Sequence, residues 1–198
     1  AGTVIDEINI RFQQAQSQRT AALKDGSVDI AYGLRPQDQT TFQQSDQFSD
    51  YRVSAADATG YNFVQLPIQG DGPLSNQNVR QAMQQLVPRQ RIVEVIEDGW
   101  ATPARLPFPA PAAGPAIEGD YEEVGENADW AYPVESQIDE ATSLVNETDI
   151  ETPISVTIDT NSGNQSRQRK NQLIAGEMDK SDAFADVVES DFASAADF

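Results

Sequence analysis

The stretch Asp159-Thr160-Asn161-Ser162-Gly163-Asn164-Gln165 sets carboxylate, hydroxyl and amide groups side by side, between an alternating apolar run and a helical pattern. In an open parallel sheet, ligands gather outside the carboxyl ends of strands, where loops enter helices. Backbone N–H groups at a helix start have no intrahelical partner, so such a loop can offer main-chain and side-chain donors together. That chemistry suits a carboxylate or a peptide backbone, and Thr160, Asn161, Ser162 and Asn164 are its candidate ligand-binding residues. The plainer role for Asn161 or Ser162 is to cap the helix that follows. Trp100 is a second candidate: with the prolines after Gly99 it could frame an apolar pocket, since an indole gives wide contact area at little entropic cost, or it could plug the core. Tyr61, Phe63 and Gln65 alternate, which places them on one side of an extended segment, by default a core-facing side.

The chain has neither His nor Cys. Cysteine nucleophiles, Ser-His-Asp triads, zinc fingers and His-ligated metals are therefore excluded, and no cofactor is expected. Carboxylates are everywhere, so proximity in sequence singles out no acid and base pair for hydrolysis. The acidic run from Ile117 to Glu135 lacks the acid spacing, central Gly and final Glu of a calcium loop and reads as a solvated loop pinned by Tyr121, Trp130 and Tyr132. Asn146-Glu147-Thr148 and Asn164-Gln165-Ser166 match the N-glycosylation pattern.

The 32 acidic and 13 basic residues give a formal net charge of −19. A field of that sign repels phosphate backbones and anionic lipid, so nucleic acid is not an expected partner. Only Lys24, Lys170 and Lys180 are lysines, and a dispersed acidic surface with so few suggests a protein that works in molar salt. No stretch is long and apolar enough to span a membrane, and no signal peptide pattern precedes the first residues.

The elements that must position these residues follow from the apolar periods. The first sixty residues read as strand, helix, strand, helix, strand. Val4, Ile8 and Ile10 lie in the first strand, and the helix from Gln16 to Lys24 is stopped by Asp25-Gly26. Val28, Ile30 and Tyr32 alternate, Pro36 opens a helix carrying Phe42, Tyr51 and Val53 form a short strand, and Gly60 to Leu66 forms another. Val79, Ala82, Met83 and Leu86 repeat at helical spacing after an Asn cap, and a second helix after Pro88 buries Ile92, Val93 and Ile96. Five prolines from Pro103 to Pro115 force an extended course. A helix from Glu135 to Val145, a strand from Ile154 to Ile158, a helix reaching Ser181 and a strand at Phe184 to Val188 complete the chain. Strand, helix and strand in that order predict a parallel crossover.

Several of these segments, in this order, resemble the extracellular solute-binding proteins of family 5, the oligopeptide, dipeptide and nickel receptors of ABC importers. Ala22-Leu23-Lys24-Asp25-Gly26-Ser27-Val28-Asp29-Ile30-Ala31 is similar to a family segment at Leu23, Gly26, Val28, Asp29 and Ile30. Gly60 to Gln65 sits where the family has an aromatic strand, and Asn78-Val79-Arg80-Gln81-Ala82-Met83 matches its most specific motif. Arg89, Ile92, Val93 and Gly99-Trp100-Ala101-Thr102-Pro103-Ala104 then follow in family order. Val87-Pro88-Arg89 departs from the usual Ile-Asp-Arg, and Gln65 stands where Asn is common.

The resemblance implies an α/β fold with type II periplasmic-binding-protein-like lobes, a mixed sheet flanked by helices, as a fragment of a bilobal receptor. Residues 1–60 would be the latter part of lobe one and residues 61–198 much of a truncated lobe two, with a hinge near Gly60. The implied function is non-enzymatic: binding an oligopeptide, a dipeptide or another small polar solute in the cleft and delivering it to an ABC permease. The full-length receptor would be extracellular and anchored at the cell surface, and the anchor for a peptide amino terminus would lie beyond Phe198. Tyr61, Phe63, Gln65 and Trp100, with Thr160, Asn161, Ser162 and Asn164, would face the cleft. Nickel is the least expected cargo, for want of His, while oligosaccharide stays within the class. An acidic scaffold or a carboxylate-based hydrolase is the alternative from a different class.

Overall fold

A computed structural model describes residues 5–55, 60–113, 119–128, 130–161 and 164–192. Its elements in chain order are α1 (Gln16–Lys24), α2 (Pro36–Gln44), α3 (Gln77–Gln85), α4 (Arg89–Val95), α5 (Ala110–Ala113), α6 (Tyr121–Asn127), α7 (Ile138–Asn146), β1 (Ile154–Asn161), α8 (Gln165–Met178) and β2 (Phe184–Phe192). Two short 3₁₀ turns lie between α2 and α3: Asp46–Phe48 soon after α2, and Pro73–Ser75 directly before the cap of α3.

Two separate apolar clusters organise these elements. The larger gathers Val79, Ala82, Met83 and Leu86 from α3 and its end with Ala141 and Val145 of α7, Ile154, Val156 and Ile158 of β1, and Ile174 and Met178 of α8. Each contributor obeys the period of its element. The spacing of the α3 residues gives one buried stripe, and Asn76 caps the helix by accepting from the Asn78 N–H at 2.8 Å. Along β1 every second residue turns inward, ending at a buried Thr160. The smaller cluster joins Leu34, Phe42 and Phe48 with Leu23, Tyr51 and Val53. Its rings pack tilted or edge-on, with Phe42 and Phe48 centroids 4.8 Å apart and Phe48 and Tyr51 centroids 5.5 Å apart.

β1 and β2 pair in parallel, with Ile154 opposite Phe184 and Thr160 opposite Asp191, and α8 forms the crossover between them. The expected strand, helix and strand are therefore present. Gly26, at φ 73°, ends α1 as expected, and Gly99, at φ 79°, closes the turn after α4.

The early strands differ from expectation. The segments around Ile8, Ile30, Tyr51 and Tyr61 run without strand pairing, and the β1–β2 pair is the whole sheet among the described residues. Ile8, Ile10, Ile30, Tyr32 and Phe63 are exposed. Alternation prepares a pleat but supplies no partner, and a strand becomes one only when a neighbour takes its N–H and C=O groups. Val4 lies outside the described residues.

A second difference lies in the acidic segment, where α6 forms in place of a loop. Asp120 caps it by accepting from the N–H groups of Glu122 and Glu123, and both of those acids stand in its first turn, where the helix dipole favours negative charge. Of the expected aromatic pins, Tyr121 donates its hydroxyl to the Phe108 carbonyl at 2.8 Å and Tyr132 lies against Arg89, while Trp130 is exposed. The proline-rich course is interrupted by the single turn of α5.

Candidate functional site

The turn from Ile96 to Trp100 is the meeting point of α2, α4 and α8. Its geometry is set by a left-handed pair, Asp98 at φ 50° and Gly99 at φ 79°, which reverses the chain at the end of α4. Asp is among the few residues with a side chain that enter this region readily. The Glu97 carbonyl accepts the Trp100 N–H at 2.8 Å and locks the reversal.

From α2, Gln37 donates its amide to the Ile96 carbonyl at 2.9 Å. One turn further along α2, the Thr40 hydroxyl accepts the Trp100 indole N–H, also at 2.9 Å. Gln37 and Thr40 are three residues apart, so one helix face holds both ends of the turn. From α8, Ser166 donates to Glu97 Oε1 at 3.2 Å, and Lys170, one turn on, forms an ion pair with the same carboxylate.

Two cavities flank this junction. One, of about 300 Å³, lies between the start of α2 and the first two turns of α8 and is lined by Arg35, Gln37, Ile96, Gln165, Ser166 and Arg169, among others. The other, of about 510 Å³, is a shallow space bordered by Thr40, Gln43, Gln44, Asp98, Gly99 and Trp100. Trp100 therefore borders an open cavity and is only partly buried. That cavity is polar, and its partners come from α2, not from the prolines that follow Trp100.

Arg35 is held in place by Asp38. Its Nε donates to Asp38 Oδ2 at 2.7 Å and its Nη2 to Oδ1 at 3.0 Å, while the Thr20 hydroxyl donates to Oδ2 at 2.7 Å. Burial would raise the Asp38 pKa, but the hydrogen bonds from Arg35 and Thr20 outweigh it and hold the carboxyl below its ordinary range.

At the far end of α8, Glu177 is buried and gathers donors from three places: Arg91 of α4 at 3.2 Å, Ser136 at 2.8 Å and Lys180 at 2.6 Å. Burial again pushes the carboxyl up, and the bonds from Lys180 and Ser136 more than reverse it. Arg89 has no carboxylate partner among the described residues. It donates to the carbonyls of Gln84 and Pro133 and stacks 4.8 Å from the Tyr132 ring centroid, and burial lowers its pKa to about 10.

The sequence-predicted residues fall into separate groups. Asn164 caps α8, accepting the Arg167 N–H at 3.0 Å, and Asn161 accepts from the Arg167 guanidinium at 3.4 Å, so the two amides share one arginine. Thr160 is buried in the sheet face. Ser162 lies outside the described residues. Tyr61 and Phe63 meet each other, with ring centroids 5.8 Å apart, and both are exposed, as is Gln65. Among the described residues, no hydrogen bond or ring contact joins Tyr61, Phe63 or Gln65 to Thr160, Asn161 or Asn164. Gln37, Thr40, Glu97 and Arg169 escaped sequence reasoning. Their neighbours lie far along the chain, and no local period announces such a meeting.

A family comparison matches residues 3–192 to the bacterial extracellular solute-binding proteins, family 5 Middle, and the chain belongs to that family. Two solved structures share its fold. One is NikA from Staphylococcus aureus in complex with Ni(L-His)2, with a TM-score of 0.59 and 18% identity over 90% of this chain and 35% of that one. The other is AppA from Clostridium difficile, provisionally described as a peptide binding protein, with a TM-score of 0.56 and 15% identity over 89% of this chain and 33% of that one. The chain thus spans about a third of the length of either neighbour, and its α/β fold is part of a type II periplasmic-binding-protein architecture. No curated protein matches it.

Proposed function

We propose that the chain is part of the solute-binding component of an ABC importer, a non-enzymatic receptor that takes a peptide between two lobes and passes it to a membrane permease. The observation that carries this reading is the family match over residues 3–192. The two apolar clusters support a division into lobes at about residue 60, since one draws on residues up to Val53 and the other on Leu66 onward. In this reading the Ile96 to Trp100 turn, with α2 on one side and α8 on the other, lies where the lobes meet. Trp100, Asn161 and Asn164 face the solute from lobe two, and Tyr61, Phe63 and Gln65 reach it from the hinge. Thr160, whose side chain is buried, contributes main-chain groups only. The receptor works outside the cell, anchored to its surface, in concentrated salt.

A second cargo class follows from the NikA neighbour, which is in complex with Ni(L-His)2. A metal ligated by free histidine needs no His from the receptor, so the lack of His here counts only against nickel held directly by the protein.

A thermal-shift screen in molar potassium chloride tests the reading, with pools of di- to hexapeptides, Ni(L-His)2 and oligosaccharides as probes. A saturable stabilisation by peptides, lost when residues 160–165 are replaced by Gly and Ala, is the expected result. Stabilisation by the chelate alone would move the cargo to nickel. No shift from any pool would return the chain to the scaffold class.

A further inference from the structure

We infer that Asn146, at the end of α7, is an N-glycosylation site, and that Asn164, which stands in the same acceptor pattern, is not. The inference rests on the reading of the chain as one that works outside the cell, since glycan transfer to asparagine needs an exported acceptor.

Two segments place a hydroxyl residue two positions after an asparagine, Asn146-Glu147-Thr148 and Asn164-Gln165-Ser166. The pattern asks for a surface position in a secreted protein, so the fold must choose between them. Asn146 is the last residue of α7, is exposed, and makes no side-chain hydrogen bond among the described residues. Glu147 is exposed as well, and the chain then runs through a turn before β1 begins at Ile154. The Thr148 hydroxyl donates to the Val145 carbonyl at 2.7 Å and accepts the Ile150 N–H at 3.2 Å. Bonds at an exposed helix terminus are the easiest in a fold to open. Presenting Asn146 to an enzyme therefore undoes one terminal turn, while Ala141 and Val145 hold the rest of α7 to the core.

Asn164 is held in the opposite way. Its side-chain oxygen accepts the Arg167 N–H and caps α8. Ser166 donates to Glu97 across the joint with α4, and Gln165 and Ser166 both line the cavity between α2 and α8. Presenting this segment would uncap α8 and release the joint, and a sugar here would crowd the candidate site. Asn146 lines neither cavity: it precedes the Ile154 end of β1, whereas Asn164 follows the Asn161 end.

The transfer uses a glycan joined through its anomeric carbon to a lipid phosphate, and a transferase at the outer face of the membrane. The Asn146 amide nitrogen bonds to the anomeric carbon as the bond from that carbon to the phosphate oxygen breaks. The lipid phosphate leaves with the electron pair, the nitrogen gives one of its two protons to a basic group of the transferase, and nothing is oxidised or reduced. The product is a bulky, solubilising group on the surface. Salt at 1 M screens surface charge within about 3 Å, and a sugar keeps that surface hydrated without relying on charge.

The test is peptide mapping by mass spectrometry on the full-length protein purified from its own cells. Trypsin with a glutamate-specific protease separates the two segments, because cleavage falls after Glu140, Glu151 and Arg167. The peptide beginning at Ala141 is expected to carry a mass increment of whole sugar residues, lost in Asn146→Gln and Thr148→Val and kept in Thr148→Ser. The peptide beginning at Thr152 is expected at its bare mass. Asn146 is exposed and unbonded, so Asn146→Gln leaves the fold intact. A bare Ala141 peptide from protein at the cell surface overturns the inference, as does sugar on the Thr152 peptide. Cell fractionation keeps the two readings apart. Protein found only in the cytoplasm defeats the surface-receptor reading, and the site is then decided by sending the same chain out of those cells behind a secretion signal. A sugar-bearing Ala141 peptide from that exported chain upholds the site, and a bare one overturns it.

Discussion

The indole N–H of Trp100 meets the hydroxyl of Thr40 at 2.9 Å across sixty residues of chain, and it does so at the border of an open cavity. Together with the bond from Gln37 to the Ile96 carbonyl, it ties α2 to the end of α4. The tie consists of directional polar contacts, with no shared apolar cluster behind it. Opening such a joint would break these bonds and uncover Ile96, a buried residue that belongs to neither cluster.

Trp100→Phe removes the donor while keeping an aromatic ring. Thr40 is only partly buried, so its hydroxyl can turn to water, and the loss should be about 1 kcal/mol, read as a lower urea midpoint with an unchanged slope. A loss above about 3 kcal/mol would mean that the ring serves as a core plug and not as a joint.

Separate cores should unfold separately. Phe42, at 2% exposure, anchors one cluster and Met178, at 0%, the other. Either residue replaced by Ala removes a buried side chain at a cost of about 2–5 kcal/mol. Phe42→Ala should lower the transition seen by the Phe42 cluster alone, and Met178→Ala that of the larger cluster, in calorimetric scans resolved into two components. A single transition shifted equally by both substitutions would show that the clusters melt as one unit.

Glu177 gives the fold an acid limit. Its carboxyl is held below the ordinary value of 4.5 by Lys180, Ser136 and Arg91 despite burial. A carboxylate depressed in the folded state contributes stability that is fully present above its unfolded pKa and disappears as pH falls through the folded one. Stability should therefore decline below about pH 4.5. Glu177→Gln should flatten part of that decline and cost about 1–3 kcal/mol at neutral pH, because Arg91 and Lys180 are half-exposed and keep their hydration. Urea titrations at pH 7, 5 and 4 on both proteins check the sign, and an identical pH profile for the two would remove Glu177 from the explanation.

Much of this architecture can be read from local pattern. Val79, Ala82, Met83 and Leu86 announce α3, Asn76 announces its start, and the alternation from Ile154 places the inward Ile154, Val156 and Ile158 of β1, while Thr160, expected in the loop, continues the strand and turns inward. The cap of α6 was legible too, since Asp120 stands before Glu122 and Glu123, but the density of acids around it masks the helix signal. What local pattern lacks is partnership. Ile30 and Tyr32 alternate as well as Val156 and Ile158 do, yet the first pair is exposed and the second buried, because only the second has β2 and α8 beside it. The candidate site suffers from the same limit. Asn161 and Asn164 are visible as a loop entering a helix, whereas Arg35 and Arg169 share a cavity through the meeting of α2 with α8.

The net charge of −19 makes salt the remaining variable, and the shape of the response separates two causes. Self-repulsion destabilises the compact state at low ionic strength, and screening relieves it as the Debye length falls from about 10 Å at 0.1 M to about 3 Å at 1 M. If repulsion dominates, the urea midpoint and far-UV helical signal should rise steeply up to about 1 M potassium chloride and then level, because little range is left to screen. Excluded salts act differently, strengthening burial in proportion to concentration with no plateau. A steady climb to about 3 M would assign the salt effect to exclusion, and no change between about 0.1 and 3 M would end the reading of an acidic surface adapted to brine.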